Sequence, residues 1–330
     1  MRANLLKDVI VATNKIQRTL AIEGAPGGGK TSIVHQAGEE LGIPVVERHM
    51  PTMLVEDFGI LYPDDKGEQL TYKLPHWFPV KGKAPERGIL LFDDRNQCGP
   101  DLQKVLANIC QARNLHGHYL PSGWQVISTG NRKSDRAGAG QVLTHLRNRE
   151  TVVELETHLD DSIDWMAANG VRPEVMAFLR FRPGLLHEFD PQRDANPTPR
   201  SWVEGVSNLL DVVPSSAEYE CIKGAVGEGA AAEFTGFLRI WRKLPDPDLI
   251  IADPTNAAIP TDSATLYAIC GALAHRSTGQ TFDTVVTYVN RIPAKEFSVL
   301  TVKMAVSRDP SLMDTQAFTS WGVTNQDVLW

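Results

Sequence analysis

One motif limits what this chain can fold into: a glycine-rich loop placed between a strand and a helix. The apolar run before it suits a strand. Four residues separate Gly24 from Gly29, and Lys30 and Thr31 follow at once. This is the GxxxxGK[ST] pattern, in which glycines let successive backbone N–H groups face phosphate oxygens. The residues that follow, up to Leu41, read as a helix whose positive end would face the same anion. The stretch therefore predicts a nucleoside triphosphate site.

The residue types in this loop have distinct chemical roles. Lys30 would reach the β- and γ-phosphates, and the Thr31 hydroxyl would bind Mg²⁺. A glycine-rich turn with a chance lysine is the alternative, but the flanking strand and helix are the context that the motif requires. The predicted nucleotide contacts are Gly24, Ala25, Pro26, Gly27, Gly28, Gly29, Lys30, Thr31 and Ser32.

Composition argues against several other classes of protein. The 330 residues leave room for two domains and a large core, and the net charge of −7 argues against a dedicated nucleic-acid binder. None of the four cysteines forms a CxxC pair, so we expect reduced thiols without a zinc site. No apolar run approaches the roughly 18 residues of a membrane span. The first residues lack the apolar core of a secretory signal, which favours a cytoplasmic protein.

The hydrophobic pattern predicts an α/β domain followed by helices. Apolar strand candidates at residues 45–48, 88–92, 124–129 and 151–155 alternate with helical segments, which is typical of a three-layer domain with a parallel sheet. Residues 50–86 predict an irregular excursion with short elements. A helix is expected to carry Leu143, Leu146, Arg147 and Arg149, and the chain after about residue 158 is expected to be helical.

Two carboxylates follow the most apolar strand. Asp93 and Asp94 come directly after GILLF, and the carboxyl ends of parallel strands are where open α/β sheets bind ligands. Phosphoryl transfer to water needs a metal-bound triphosphate and a positioned water. Asp93 is therefore the candidate Mg²⁺ ligand with Thr31, and Asp94 the candidate to orient or deprotonate the water.

The order of these motifs resembles that of an AAA+ ATPase, most closely the MoxR-type, dynein-related branch. The resemblance rests on the loop at residues 24–31, on Asp93-Asp94 with an Asn two residues later, and on Asn131 after a strand. It also includes Arg149 and the run Thr198-Pro199-Arg200, and it covers roughly residues 3–244. It implies an AAA+ core at residues 1–158 and a helical lid at 159–248. Residues 249–330 are a helical extension of unknown role.

The resemblance also implies roles for single residues. Asn131 would sense the γ-phosphate, and Arg149 would be the arginine finger given to the neighbouring subunit, with Arg147 assisting it or being the finger itself. Arg200 would be the second sensor, on the lid. The hairpin at residues 114–121 would face a partner or the axial channel, through Arg113, His116, His118 and Tyr119. His116 and His118 have the spacing of a metal pair, although a solvated hairpin is the simpler interpretation.

What the resemblance implies as a whole is an ATP- and Mg²⁺-dependent ATPase that works as a ring, most often of six subunits, on a protein client. A partner with a von Willebrand-type domain is expected only by analogy.

The chain departs from the family pattern at Asp94, where the family usually has Glu. Slow hydrolysis is one hypothesis that follows from the shorter side chain. Two alternatives stay open: a nucleic-acid motor or loader, suggested by Arg132, Lys133 and Arg136, and a nucleotide-gated scaffold with little turnover.

Overall fold

The computed structural model describes residues 1–64, 66–135, 140, 142–210 and 212–325. The chain divides into two compact units, Met1–Thr157 and His158–Trp330. The domain bounds predicted from the sequence, including a boundary at residue 248, stay a prediction. Among the described residues, none of the helices combines the length and apolarity needed to cross a bilayer.

The first unit is built on a five-stranded parallel sheet, as the alternating pattern predicted. The strands of this unit are β1 (Leu20–Gly24), β2 (Val45–His49), β3 (Ile60–Pro63), β4 (Leu70–Lys73), β5 (Arg87–Asp93), β6 (Asn114–Leu115), β7 (His118–Tyr119), β8 (Gly123–Asn131) and β9 (Thr151–Leu155). The sheet has the strand order β2-β5-β8-β1-β9, and every neighbouring pair is parallel. The other four strands form two separate antiparallel hairpins, β3–β4 and β6–β7.

Both faces of the sheet are covered, because alternate residues of its central strands enter different apolar cores. Ile89 and Leu91 of β5 share a core with the first two helices, and Leu90 and Phe92 share another with the third. This is the predicted three-layer arrangement. The helices of this unit are α1 (Ala3–Asn14), α2 (Lys30–Leu41), α3 (Pro100–Ala112) and α4 (Thr144–Arg147). Short 3₁₀ turns cover Met50–Thr52, Val55–Phe58, Arg95–Gln97 and Lys133–Asp135.

Two sequence expectations need correction in this unit. Residues 50–86 contain the regular hairpin β3–β4, whose residues are exposed on both faces, so no apolar alternation marked them as strands. The helix expected to reach Arg149 ends at Arg147. Arg149 instead lies in the turn before β9.

The second unit is helical, as predicted. Phe178 lies at the centre of its larger core, with Trp202, Phe234 and Phe237 around it at ring-centroid distances of 5.1–5.5 Å. Residues on both sides of the proposed boundary at 248 belong to this core. The helices are α5 (Leu159–Ala168), α6 (Pro173–Phe181), a π-helical segment (Ser201–Ser207), α7 (Glu218–Val226), α8 (Glu228–Trp241), α9 (Pro247–Ala252), α10 (Ser263–Arg276), α11 (Phe282–Val289), α12 (Lys295–Arg308) and α13 (Gln316–Thr324). Two 3₁₀ turns cover Pro183–Leu186 and Pro310–Asp314.

Candidate functional site

The predicted site residues of the first unit gather where its parallel strands end. Gly24 at the end of β1 is in register with Asn131 at the end of β8, and His49 at the end of β2 is in register with Asp93 at the end of β5. Strand pairing therefore brings together groups that are far apart in the sequence. The carboxyl edge of a parallel sheet is the edge where ligands bind in open α/β folds.

The loop between β1 and α2 has the backbone that an anion cradle needs. Gly27 and Gly29 have φ angles of 70° and 91°, a region that residues with a side chain rarely adopt. Helix α2 begins at Lys30, directly after Gly29. The first N–H groups of a helix have no partner within it and carry its positive dipole end. The loop and helix thus form a site suited to phosphate.

Lys30 extends back across this loop. Its Nζ donates to the carbonyl oxygens of Gly24 at 3.1 Å and Ala25 at 3.0 Å, and to Asn131 Oδ1 at 2.9 Å. The side chain is 7% exposed. Lys30 was predicted to reach the phosphates and Asn131 to sense the γ-phosphate. These two side chains, 101 residues apart in the sequence, are in direct contact.

Asp93 connects the helix to two strands. Its Oδ1 accepts hydrogen bonds from Thr31 Oγ1 and from Thr129 Oγ1, both at 2.6 Å, and its Oδ2 lies 3.4 Å from His49 Nδ1. A threonine hydroxyl that donates its proton to a carboxylate keeps its lone pairs for a cation. Hydroxyl and carboxylate oxygens are the hard donors that Mg²⁺ prefers. The predicted pair Thr31 and Asp93 therefore fits Mg²⁺.

Asp94 has an unusual backbone conformation. Its φ is 53°, in the left-handed region, and its N–H donates to Thr129 Oγ1 at 2.9 Å. Asp tolerates this region better than most residues that carry a side chain. Ligand atoms of His49, Asp93 and Asp94 all lie within 4.8 Å of one another. Asp94 thus lies beside the predicted Mg²⁺ ligands, as its proposed role requires.

A buried ionic network underlies the site, and sequence reasoning missed it. The fully buried Arg95 pairs through Nε with Glu150 at 3.1 Å and through Nη2 with Glu23 at 3.0 Å. Ser128 donates to the second Glu150 oxygen at 2.6 Å. The second Glu23 oxygen lies 3.5 Å from Arg147. Burial raises the pKa of the Glu150 carboxyl, and attraction to Arg95 opposes that rise.

A pair of asparagines fixes the strand end next to this network. Asn96 Nδ2 donates to the Asn131 carbonyl at 2.7 Å, and the Asn131 N–H donates to Asn96 Oδ1 at 3.3 Å. Both side chains are buried. The spacing of Asn96 after Asp94 was noted in the sequence. Its two bonds to Asn131 show how the turn after β5 holds the end of β8.

Three other predicted arginines of the first unit, Arg149, Arg147 and Arg132, have partners outside the Lys30–Asp93 cluster, by which we mean Lys30, Thr31, Asp93 and Asn131. Arg149 Nε contacts Gln111 Oε1 at 2.5 Å, its Nη1 donates to the His145 carbonyl, and the side chain is partly exposed. Arg147 is exposed and reaches Glu23. Arg200 of the second unit is exposed and has a helical backbone directly before the π-helical segment, where Thr198 Oγ1 accepts from Ser201 N at 3.1 Å. Of the basic run at 132–136, Arg132 pairs with Asp135 and Glu154, whereas Arg136 lies outside the described residues.

The hairpin insert is anchored by one of its own predicted contact residues. Arg113 Nη2 donates to the carbonyls of Pro121 at 3.1 Å and Trp124 at 2.5 Å, and burial lowers the pKa of Arg113. The His116 ring stacks on Tyr72 of the other hairpin, with ring centroids 3.5 Å apart. His118 and Tyr119 are exposed. Arg113 therefore anchors the hairpin, whereas His116, His118 and Tyr119 are exposed on its surface.

Fold and site together define a three-layer parallel α/β protein with a glycine-rich loop suited to phosphate and a helical second unit. Neither the family models nor the curated proteins include a match to the chain. Among solved structures, it is similar to NtrX from Brucella abortus at 15% identity and a TM-score of 0.40, over 72% of this chain and 60% of that one. The chain is also similar to a structure of NtrX from Brucella abortus in complex with ADP, at 13% identity and a TM-score of 0.42. This match covers 94% of this chain and 68% of the NtrX chain.

Proposed function

We propose that this chain is an AAA+ ATPase of MoxR type, which binds ATP with Mg²⁺ and works in an oligomeric ring on a protein partner. One observation carries the nucleotide part of this proposal. Two hydrogen-bonded pairs, Lys30 with Asn131 and Thr31 with Asp93, lie at the carboxyl edge of the sheet, directly beside the phosphate loop. These are a cation for the phosphates, two oxygen ligands for Mg²⁺ and a polar group for the γ-phosphate.

The chemistry follows from these positions. ATP would bind with its phosphates on the loop and the start of α2, and Lys30 would exchange its carbonyl partners for phosphate oxygens. Mg²⁺, held by Thr31 and Asp93, would neutralise charge on the phosphates. Asp94 would orient or deprotonate the attacking water, with Asn131 and Arg200 sensing the γ-phosphate.

The ring part of the proposal is supported by the arginines before β9. Arg149 contacts Gln111 and His145 rather than the Lys30–Asp93 cluster, and it is partly exposed. An arginine in such a position can reach a nucleotide bound by a neighbouring subunit, where it would stabilise charge in the transition state. Arg147 is the second candidate for this role, but its guanidinium is already paired with Glu23.

Nucleotide binding is tested by titrating a fluorescent ATP analogue into the wild type, Lys30→Ala and Lys15→Ala, with and without Mg²⁺. We expect Lys30→Ala to lose at least about tenfold in affinity, because the phosphates lose a charge-assisted partner. Lys15→Ala changes the same residue type at the end of α1 and should bind like the wild type. Equal affinity of all three proteins would refute the assignment of the loop.

A nucleotide-gated scaffold is the second candidate function, and the geometry at Asp94 favours it. Asp is one methylene shorter than Glu, and here it lies on a left-handed backbone that fixes its direction. ATP would then hold an assembly with little turnover. Measuring the size of the oligomer in the presence of ATP, together with phosphate release, distinguishes the scaffold from the ATPase. An oligomer that persists with negligible phosphate release would support the scaffold.

A further inference from the structure

A groove lies on one face of the edge strand β2, away from the phosphate loop. Val46 and Arg48 of β2 line it, together with Pro44 just before the strand. The intervening Glu47 points to the opposite face, where its carboxylate lies 2.6 Å from His35 of α2. The hairpin β3–β4 and residues 74–85 form the other walls, and the volume is about 640 Å³. Ligand pockets commonly have about 300–1,000 Å³.

The lining of this groove is basic, although the chain as a whole is acidic. Arg48, Lys73 and Lys83 come from three separate segments, and His76 and His118 join them. None of the described residues that line the groove is Asp or Glu, in a chain of net charge −7. Arg48 Nε is buried and has no hydrogen-bond partner among the described residues. The charged side chains that line the groove are therefore all basic, which favours an anionic ligand.

The aromatic side chains of the groove discriminate between two kinds of polyanion. Single-stranded nucleic acid needs open ring faces on which bases can stack. Here Trp77 and Trp124 are 9% and 1% exposed, and the Arg48 guanidinium covers Trp77 at 4.9 Å. Tyr62 and Tyr72 are 38% and 39% exposed, but Lys73 lies 5.8 Å from the centroid of Tyr62, and His116 stacks on one face of Tyr72. The two tryptophans, together with four prolines, thus form an apolar wall rather than a stacking platform.

We propose that this groove binds an extended acidic segment of a partner polypeptide. Its carboxylates contact Arg48, Lys73 and Lys83, and its apolar side chains lie against the wall formed by Trp77 and the prolines. No residue of the phosphate loop lines the groove within the described part of the chain. The proposal therefore does not depend on ATP binding, and either one can fail without the other.

The test is fluorescence anisotropy with a fluorescein-labelled peptide of alternating Glu and Leu. A matched peptide of Gln and Leu and an oligothymidylate serve as comparison probes. Two double variants are compared with the wild type: Lys73→Gln with Lys83→Gln, both of which line the groove, and Lys66→Gln with Lys81→Gln, which do not. All four lysines are exposed, so both variants should fold. Lys30→Ala is included to separate the groove from the nucleotide site.

We expect the acidic peptide to bind the wild type, the Lys30→Ala protein and the Lys66/Lys81 variant alike. The Lys73/Lys83 variant should bind about tenfold more weakly, because two charge contacts are lost. The affinity should fall as salt is added. The proposal is overturned if the Gln peptide binds equally well, if the Lys73/Lys83 variant binds like the wild type, or if the oligothymidylate binds more tightly than the acidic peptide.

Discussion

At the scale of single residues, the site depends on carboxylates whose surroundings differ. Asp93 accepts two threonine hydroxyls and lies near an imidazole, whereas Glu23 and Glu150 neutralise a buried guanidinium. The first arrangement suits a cation, and the second one holds backbone segments in place. Substitutions at these acids should therefore separate turnover from stability.

Replacing Asp94 with Glu tests whether the shorter side chain limits hydrolysis. A longer carboxylate would come closer to the attacking water, so we expect turnover to rise roughly three- to tenfold. Asp94→Asn should lower turnover by about 10² through loss of the base. Steady-state phosphate release measures both, and melting temperatures show whether Glu is tolerated at a φ of 53°. A lower turnover in a well-folded Asp94→Glu protein would show that Asp is not a handicap.

Glu23→Gln tests the network beneath the site. The change keeps an acceptor for Arg95 but removes one of the two charges that compensate its buried guanidinium. We expect the free energy of unfolding to fall by about 1–3 kcal/mol, measured by urea denaturation. Glu39→Gln is the matched control, because Glu39 is exposed on α2. Equal unfolding midpoints for the two variants would contradict a structural role for Glu23.

At the scale of elements, the helices and strands that could be predicted are those marked by local sequence patterns. The strand β1, the helix α2 and the buried strand β5 follow from their apolar runs and from the glycine motif. Short elements were expected within residues 50–86, but the pairing of β3 with β4 was not predicted, because both strands are exposed on both faces. Arg95 could not be recognised as buried, since its partners Glu23 and Glu150 are brought to it only by strand pairing. The Lys30–Asn131 contact likewise depends on the register of β1 and β8.

Gly29→Ala tests the conformation of the phosphate loop apart from its packing. An added Cβ would meet no atom within 4 Å, so the cost comes only from a φ of 91°. We expect a loss of about 1–2 kcal/mol in stability and weaker ATP binding, measured by thermal unfolding and nucleotide titration. Gly99→Ala is the control, with equal free space and a φ of −65°. If the two alanine variants behaved alike, the left-handed turn would not matter.

At the scale of the whole molecule, burial controls the reactivity of the thiols. All four cysteines are free. Burial raises the pKa of Cys98 to about 11 and that of Cys270 to about 12, and it raises the pKa of Cys110 further. Because the thiolate is the reactive form, these thiols should react slowly at neutral pH in the folded protein.

Ellman's reagent tests this expectation. As the pH rises toward the pKa of Cys98, its reaction rate should increase about tenfold per pH unit, because the thiolate fraction increases in the same proportion. Cys110 and Cys270 should react only after denaturation, because they are buried as well. A Cys98→Ser variant identifies the phase that belongs to Cys98 and separates it from that of Cys221, which is also partly exposed. Rapid reaction of all four thiols in the native protein at neutral pH would contradict the packing of the cores.

The ring itself can be tested by mixing two inactive proteins. Lys30→Ala lacks a working loop but keeps Arg149, and Arg149→Ala keeps the loop but lacks the finger. If a site needs the loop of one subunit and the finger of its neighbour, random mixing at equal amounts restores about a quarter of the sites. Phosphate release should then rise from near zero to about a quarter of the wild-type rate. Repeating the mixture with Arg147→Ala in place of Arg149→Ala shows which arginine is the finger. Activity of Arg149→Ala alone, with no gain on mixing, would mean that Arg149 does not act across an interface.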